Sequence, residues 1–214
     1  TLAAVPVRED ARDAVVGSTL AGIPQGARVG TSSLRRQAQL KAIRPDLEVT
    51  PLRGNLDTRL RKLDEGQFSA ILLAAAGLKR LGWAERIEEL LPVELMCPAV
   101  GQGALAIETR SDGGRGQTAA RMLNHPETHA AVSAERALLR GLGGGCQVPV
   151  GAHAMVQQGR LTLRAVVVSP DGSMLVRRET AGVVEEPESI GSRLAEELLR
   201  AGAEQILEAV YGTS

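Results

Sequence analysis

Five arginines stand where they could hold carboxylates. Arg35 and Arg36 follow Ser32 and Ser33 at the start of an expected helix. A helix N-terminus carries free N–H groups and a partial positive charge, so cations are poorly placed there unless an anion is also present. Arg53 lies at the end of an expected strand, just before Gly54 and Asn55; Arg59 lies one turn into the next helix, and Arg80 follows the apolar run 68–75. In open α/β sheets the ligand crevice lies beyond the carboxyl ends of the strands. Arg35, Arg36, Arg53 and Arg80 all fall just past such ends. Arginines are most often solvated surface residues; it is the shared edge that argues for a site. A guanidinium grips a carboxylate bidentately, with charge-assisted bonds of about 1.5–3 kcal/mol each, so the pattern suits a ligand with several carboxylates.

Cys146 follows Gly143-Gly144-Gly145, between a helix and a strand. Glycine-rich backbone lets a bulky group approach closely, and a thiol there is either an accessible attachment point or a small buried residue without chemistry. Cys97, beside Pro98 in an apolar setting, reads as structural. His125 and His129 have the spacing of a metal pair, but no further ligand completes it and no metal site is expected. Gly101-Gln102-Gly103 is too short for a phosphate loop, and neither a Ser-His-Asp order nor a Rossmann fingerprint is present.

The elements that must position these residues fall into two patterns. In residues 10–98 short apolar runs alternate with helical stretches. One strand is expected to end at Arg28-Val29-Gly30, and others to run over 47–52 and 68–75, with a leading one at 2–7. Helices are expected at 34–43, capped by Ser32 or Ser33, from Asn55 onward, and over 77–81 and 84–91. The run 68–75 is apolar throughout, as a strand buried on both faces would be. This alternation predicts a parallel α/β domain. A strand at 104–109 and a helix at 117–123 come next. The last part differs: a helix at 132–142 precedes strand-like runs at 148–156, 161–168 and 174–178. These are joined by the hairpin signals Gln158-Gly159 and Pro170-Asp171-Gly172. One long amphipathic helix carrying Ile190, Leu194, Leu198 and Ala201 is expected to close a small α+β domain with an antiparallel three-stranded sheet.

Composition narrows the function. Among 214 residues Lys plus Arg (25) equals Asp plus Glu (25). A neutral balance argues against a general nucleic-acid or membrane-surface binder. Phe68, Trp83 and Tyr211 are the only aromatics, too few for a base-stacking platform. Two distant cysteines and no evident signal peptide point to a reduced, cytoplasmic setting. The leading strand has no turn or cap before it, which is expected of a chain that begins inside a domain.

At this point whole blocks become specific. Val29-Gly30-Thr31-Ser32-Ser33-Leu34-Arg35-Arg36-Gln37 resembles the arginine-bearing signature of the hydroxymethylbilane synthases, also called porphobilinogen deaminases. Leu52-Arg53-Gly54-Asn55 with Thr58-Arg59-Leu60 resembles the next block. Residues 72–81 (LLAAAGLKRL), 98–103 (PAVGQG) and 144–152 (GGCQVPVGA) follow in the family's order. The resemblance implies a transferase of tetrapyrrole (haem) biosynthesis that condenses four porphobilinogen molecules into linear hydroxymethylbilane with release of ammonia. It implies a dipyrromethane cofactor joined by a thioether to Cys146. It assigns Arg35, Arg36, Arg53, Arg59 and Arg80, with Ser33 and Gln102, to the carboxylates of cofactor and growing chain.

The resemblance also implies a fold in which the α/β domain is periplasmic-binding-protein-like. Residues 1–8 would be a remnant of a first domain and hinge, 9–98 the second domain, 99–123 a hinge return to the first, and 124–214 a third domain carrying Cys146. The family's catalytic aspartate, in a Lys-Asp pair, would lie upstream of Thr1, so no catalytic residue is assigned within these residues and the chain alone is expected to be inactive. The complete protein is expected to be a cytoplasmic monomer that binds porphobilinogen and neither nucleic acid nor membrane. Replacing Arg35 or Arg36 by leucine is expected to cut turnover and leave folding largely intact. The alternative is a non-catalytic module that binds a carboxylate ligand.

Overall fold

Residues 1–144 and 149–211 are described by the structure, a computed structural model. The chain begins with β1 (Leu2–Ala4) and continues extended to β2 (Asp13–Val16). Then come β3 (Arg28–Gly30), α1 (Leu34–Ile43), β4 (Glu48–Thr50) and α2 (Leu56–Asp64). These are followed by β5 (Ala70–Ala74), α3 (Ala75–Arg80) and β6 (Glu89–Leu90). A short connection holds β7 (Ile107–Glu108) and α4 (Arg115–Arg121). The remainder is α5 (Pro126–Gly141), β8 (Val150–Gln157), β9 (Arg160–Val168), β10 (Leu175–Val183), α6 (Pro187–Leu198) and α7 (Glu204–Tyr211).

The first large sheet has the order β4-β3-β5-β2-β6. Its β5 alternates as a doubly covered strand must. Leu72 packs with Val15, Val29 and Leu40 on one face, while Ile71 and Leu73 pack with Leu60 and Leu78 on the other. Helix α1 therefore covers one side and α2 with α3 the other. Both expected caps form: Ser33 Oγ accepts from Arg36 N at 3.4 Å, and Asn55 Oδ1 from Thr58 N at 2.8 Å. The all-parallel expectation needs correction. Only β4, β3 and β5 are parallel, and β2 runs antiparallel to both β5 and β6. The expected helix over 84–91 is a single turn at Ala84–Arg86 followed by β6.

The second unit is a three-stranded antiparallel sheet, order β10-β9-β8. Gln158 (φ 50°) and Gly159 (φ 72°) both take the left-handed turn between β8 and β9 that a tight hairpin demands. One face packs Leu161, Leu163 and Val167 against Ala134 and Leu138 of α5 and Leu194 and Leu198 of α6. The other face sets Val166 and Val168 against Ala38 of α1 and Cys97, so the two units share an apolar seam. The single closing helix is in fact two: Gly202, at φ 103°, breaks it between α6 and α7. Strand β10 runs on to Val183, beyond the expected end at Arg178, because Glu179 to Val183 go on pairing with β9 as far as its first residue, Arg160. A separate pair, β1 with β7, is antiparallel. Among the described residues no helix is long and apolar enough to cross a membrane.

Candidate functional site

The antiparallel sense of β2 decides where the charged groups meet. Parallel strands β3, β4 and β5 end at one edge of the sheet. Because β2 runs the other way, its first residue, Asp13, pairs with Ala74, the last residue of β5. A carboxylate thus arrives at the carboxyl edge, where α1 begins and presents its two arginines.

Asp13 is fully buried. Arg35 Nη1 donates to its Oδ2 at 2.6 Å and Nη2 to Oδ1 at 3.2 Å. Arg36 Nε donates to Oδ1 at 2.8 Å. Gln102 Nε2 adds a bond to the same oxygen at 2.9 Å, and its Oε1 accepts from Nη2 of both arginines, at 3.2 and 3.4 Å. Burial alone would raise the Asp13 pKa. The charges of Arg36 and Arg35, with hydrogen bonds from Arg35 and Gln102, outweigh it and hold the carboxyl below its ordinary value. Burial also lowers the Arg36 pKa, against the pull of Asp13, and the charges of Arg35 and Arg59 push the same way as burial. Two guanidiniums share one carboxylate, which leaves one positive charge uncompensated within the cluster. Arg35 Nε has no partner among the described residues.

The other expected residues lie around this centre in different ways. Arg59 is half-buried; its Nε donates to Gly54 O at 2.8 Å, and its charge is felt at Arg36. Arg80 is exposed, and its Nη2 donates to Gly103 O at 2.7 Å, next to Gln102. Arg53 is exposed in the loop after β4, with Lys62 Nζ on its carbonyl at 3.3 Å. Ser33 serves as the cap of α1. Cys146 lies outside the described residues. The expectation that Arg35→Leu leaves folding intact does not survive these positions: Arg35 is 4% exposed and makes part of the pairing of a buried carboxylate.

A second buried pair adjoins the first. Arg8 Nη1 donates to Glu135 Oε1 at 2.6 Å, and Glu135 also accepts from the backbone N–H of Gly101 at 2.6 Å and of Ala154 at 2.8 Å. Arg8 Nε donates to the carbonyl of Gln102 at 2.8 Å. Gln102 therefore joins both networks, one through its side chain and the other through its backbone. Next to it, Gly103 (φ 83°) leaves no room for a side chain, since a Cβ would lie 2.5 Å from the carbonyl of Glu9. That close pairing is how the segments around 9 and 103 cross side by side, tied by Glu9 N to Gly103 O at 3.1 Å. Lys79 on α3 bridges Glu9 and Asp10 at 3.3 and 3.1 Å. A hydrogen bond from Arg12 is the main cause that depresses the Asp10 pKa far below the carboxylate range.

Sequence reasoning missed Asp13, Arg8 and Glu135. Glu135 did leave a trace: it falls on the stripe of Ala131 and Leu138 of α5 and Leu142 just past its end, all buried, where a carboxylate demands a partner. The paired histidines have local duties. His125 Nδ1 accepts from Thr128 N at 3.2 Å and so caps α5, and His129 Nδ1 meets Asn124 Oδ1 at 2.8 Å.

Cys97 has the character expected of a structural thiol. It is buried, and burial is the main cause that pushes its pKa up to about 12. The thiolate is the reactive form. Native protein incubated with iodoacetamide near pH 8 should therefore leave Cys97 unmodified, while unfolded protein alkylates it readily; peptide masses report the difference, and rapid native labelling would contradict the burial. An unfolded thiol titrates near pH 8.5. This residue's contribution to stability is accordingly full below that pH and is lost as pH rises toward about 12.

Comparison with known proteins sets this geometry in a family. Residues 1–118 match the model described as "Porphobilinogen deaminase, dipyromethane cofactor binding domain". Residues 129–200 match "Porphobilinogen deaminase, C-terminal domain". A porphobilinogen deaminase of Syntrophobacter fumaroxidans is 51% identical over 213 residues, covering 98% of this chain and 69% of the relative. One of Geobacter metallireducens is 52% identical over 206 residues, covering 95% and 65%. One of Thiobacillus denitrificans is 55% identical over 214 residues, covering 98% and 69%. The chain thus spans roughly two thirds of the length of these curated relatives. Matched at both ends by models of one enzyme family, and sharing half or more of its residues with relatives over nearly its whole length, the chain belongs to the porphobilinogen deaminases.

Proposed function

We propose that the complete protein condenses porphobilinogen into linear hydroxymethylbilane with release of ammonia, on a dipyrromethane joined by a thioether to Cys146. The observation that carries this reading is the charge excess of the Asp13-Arg35-Arg36-Gln102 cluster, set at the strand edge where Arg59 and Arg80 also stand. A polycarboxylate fits such a donor set. Its carboxylates would meet fixed guanidiniums in a partly desolvated setting, where charge-assisted hydrogen bonds are strongest. A bound dipyrromethane would supply the covalently held chain to which pyrrole units are added. The residues of this chain would hold acetate and propionate groups: Arg53, Arg59 and Arg80 by direct contact, Arg35 and Arg36 through the net charge of the cluster, with Ser33 and Gln102 as polar neighbours.

The same reading takes residues 9–98 as a periplasmic-binding-protein-like lobe, with 1–8 and 99–123 as hinge and remnant of a first domain, and 124–214 as the third domain. Support comes from the segments around 9 and 103, which cross together, as the connections of a hinged pair of lobes do. It also takes the complete protein as a cytoplasmic monomer with a small-molecule substrate. The neutral formal charge offers no general field for nucleic acid.

Intact mass of the complete protein, followed by peptide mapping, tests the proposal. Two linked pyrrole units are expected on the peptide that holds Cys146, together with consumption of porphobilinogen. An unmodified thiol in a protein that binds dicarboxylates without consuming porphobilinogen would instead make it a binding module.

A further inference from the structure

We propose that Gln39 is a positioning residue for Arg35, acting through the peptide of Cys97. The inference rests on the functional reading above and adds a residue to it. Gln39 and Arg35 are four residues apart on α1, and so share a face of the helix. Gln39 is 1% exposed. Its carboxamide pairs both ways with one backbone residue: Oε1 accepts from Cys97 N at 2.7 Å, and Nε2 donates to Cys97 O at 3.0 Å. That same carbonyl accepts from Arg35 Nη1 at 2.6 Å. Nη1 is thereby held between the Cys97 carbonyl and Asp13 Oδ2.

The peptide is fixed from its other side as well. Gly151 of β8 lies so close that a Cβ there would stand 2.7 Å from Cys97 O and 2.9 Å from Cys97 Cβ. Ala152 N donates to Pro98 O at 2.8 Å. The carbonyl that aims Arg35 is therefore clamped between α1 and β8. Without the carboxamide of Gln39 the carbonyl is held from the β8 side alone, and Arg35 keeps only Asp13 and the Gln102 oxygen as firm anchors. The guanidinium then leans differently against Gln102, and the charge of the cluster is no longer held in one place at the ligand edge.

Gln39→Met keeps the volume and removes the carboxamide. In the complete protein it should raise KM for porphobilinogen roughly tenfold, the factor that corresponds to ~1.4 kcal/mol, with a smaller change in kcat. In an Arg35→Lys background the same substitution should change KM less than about twofold, because residues acting through one another are not additive. Equal effects on KM in the two backgrounds, or a lowered unfolding midpoint with KM unchanged, would show that Gln39 supports only the fold. A second readout does not depend on turnover. Exchange of the Arg35 guanidinium N–H with solvent, followed by ¹⁵N NMR, should speed up about tenfold in Gln39→Met as an anchor is lost. Unchanged exchange overturns the positioning role. Parent protein that consumes no porphobilinogen overturns the proposed function and leaves the exchange result to decide on Gln39.

Discussion

Cys146→Ser in the complete protein is expected to abolish both cofactor attachment and the proposed turnover while leaving the fold in place. The thiol is the only side chain in the Gly144-to-Pro149 connection with useful nucleophilic character near neutral pH. A serine hydroxyl is weak unless a neighbouring base activates it, so an isosteric replacement removes the bond-forming atom and little else. Both ends of the connection are held by contacts that do not involve residue 146. Gly144 N donates to Leu139 O at 2.9 Å at the end of α5, and Val168 N donates to Pro149 O at 3.1 Å beside β8. Intact mass should show the unmodified chain, and thermal unfolding should match the parent. If the serine variant keeps a bound dipyrromethane or consumes porphobilinogen, attachment lies elsewhere.

Asp13→Ala should be among the most damaging single changes to stability. It strips the shared carboxylate from two guanidiniums that are themselves buried. Breaking a buried ion pair by removing one partner costs about 3–5 kcal/mol, because the remaining charge is left unpaired. Arg35→Leu should cost less, since Arg36 and Gln102 still satisfy Asp13. Urea midpoints of the two variants against the parent give the comparison, and a loss below about 1 kcal/mol for Asp13→Ala would mean the pair behaves as a surface one. The pH dependence has a definite sign. The Asp13 pKa is depressed in the folded state, so its contribution is present above the unfolded value of about 3.9 and disappears as the pH falls through the lower folded value. Asp13→Ala should accordingly flatten the acid limb of the stability curve.

Much of the architecture was legible because local chemistry sets it. Ser33 and Asn55 announced α1 and α2, the run around Leu72 announced a doubly buried strand, and Gln158-Gly159 announced a hairpin. What could not be read was set by distant pairing. Residues 13–16 are too short a run to declare a strand, and their direction depends on β5, more than fifty positions on. The arginine edge was legible as a set, since parallel strands gather whatever follows them. Its inner partner was not, because Asp13 opens its strand, and the start of a strand reaches that edge only when the strand runs backwards. The inward turn of Arg35 and Arg36 follows from this hidden carboxylate, and without it their types and spacing pointed only outward.

The antiparallel β2 has a mechanical consequence. The chain enters the five-stranded sheet of the α/β unit at Asp13 and leaves that sheet beside Leu91, whose N–H donates to Asp13 O at 2.9 Å, so entrance and exit lie together at the carboxyl edge. A rotation of the unit about that edge would have to slide the seam that Ala38 of α1 shares with Val166 and Val168, and displacement would grow with distance from the edge, as a door's does from its jamb. The turns at Gly26 and Gly66, which precede β3 and β5, lie at the far side and would sweep the widest arc. Asp13, Arg35, Arg36 and Gln102 stand at the jamb and would travel least. A rotation of the unit would alter what faces it across the edge while keeping the charged cluster nearly stationary.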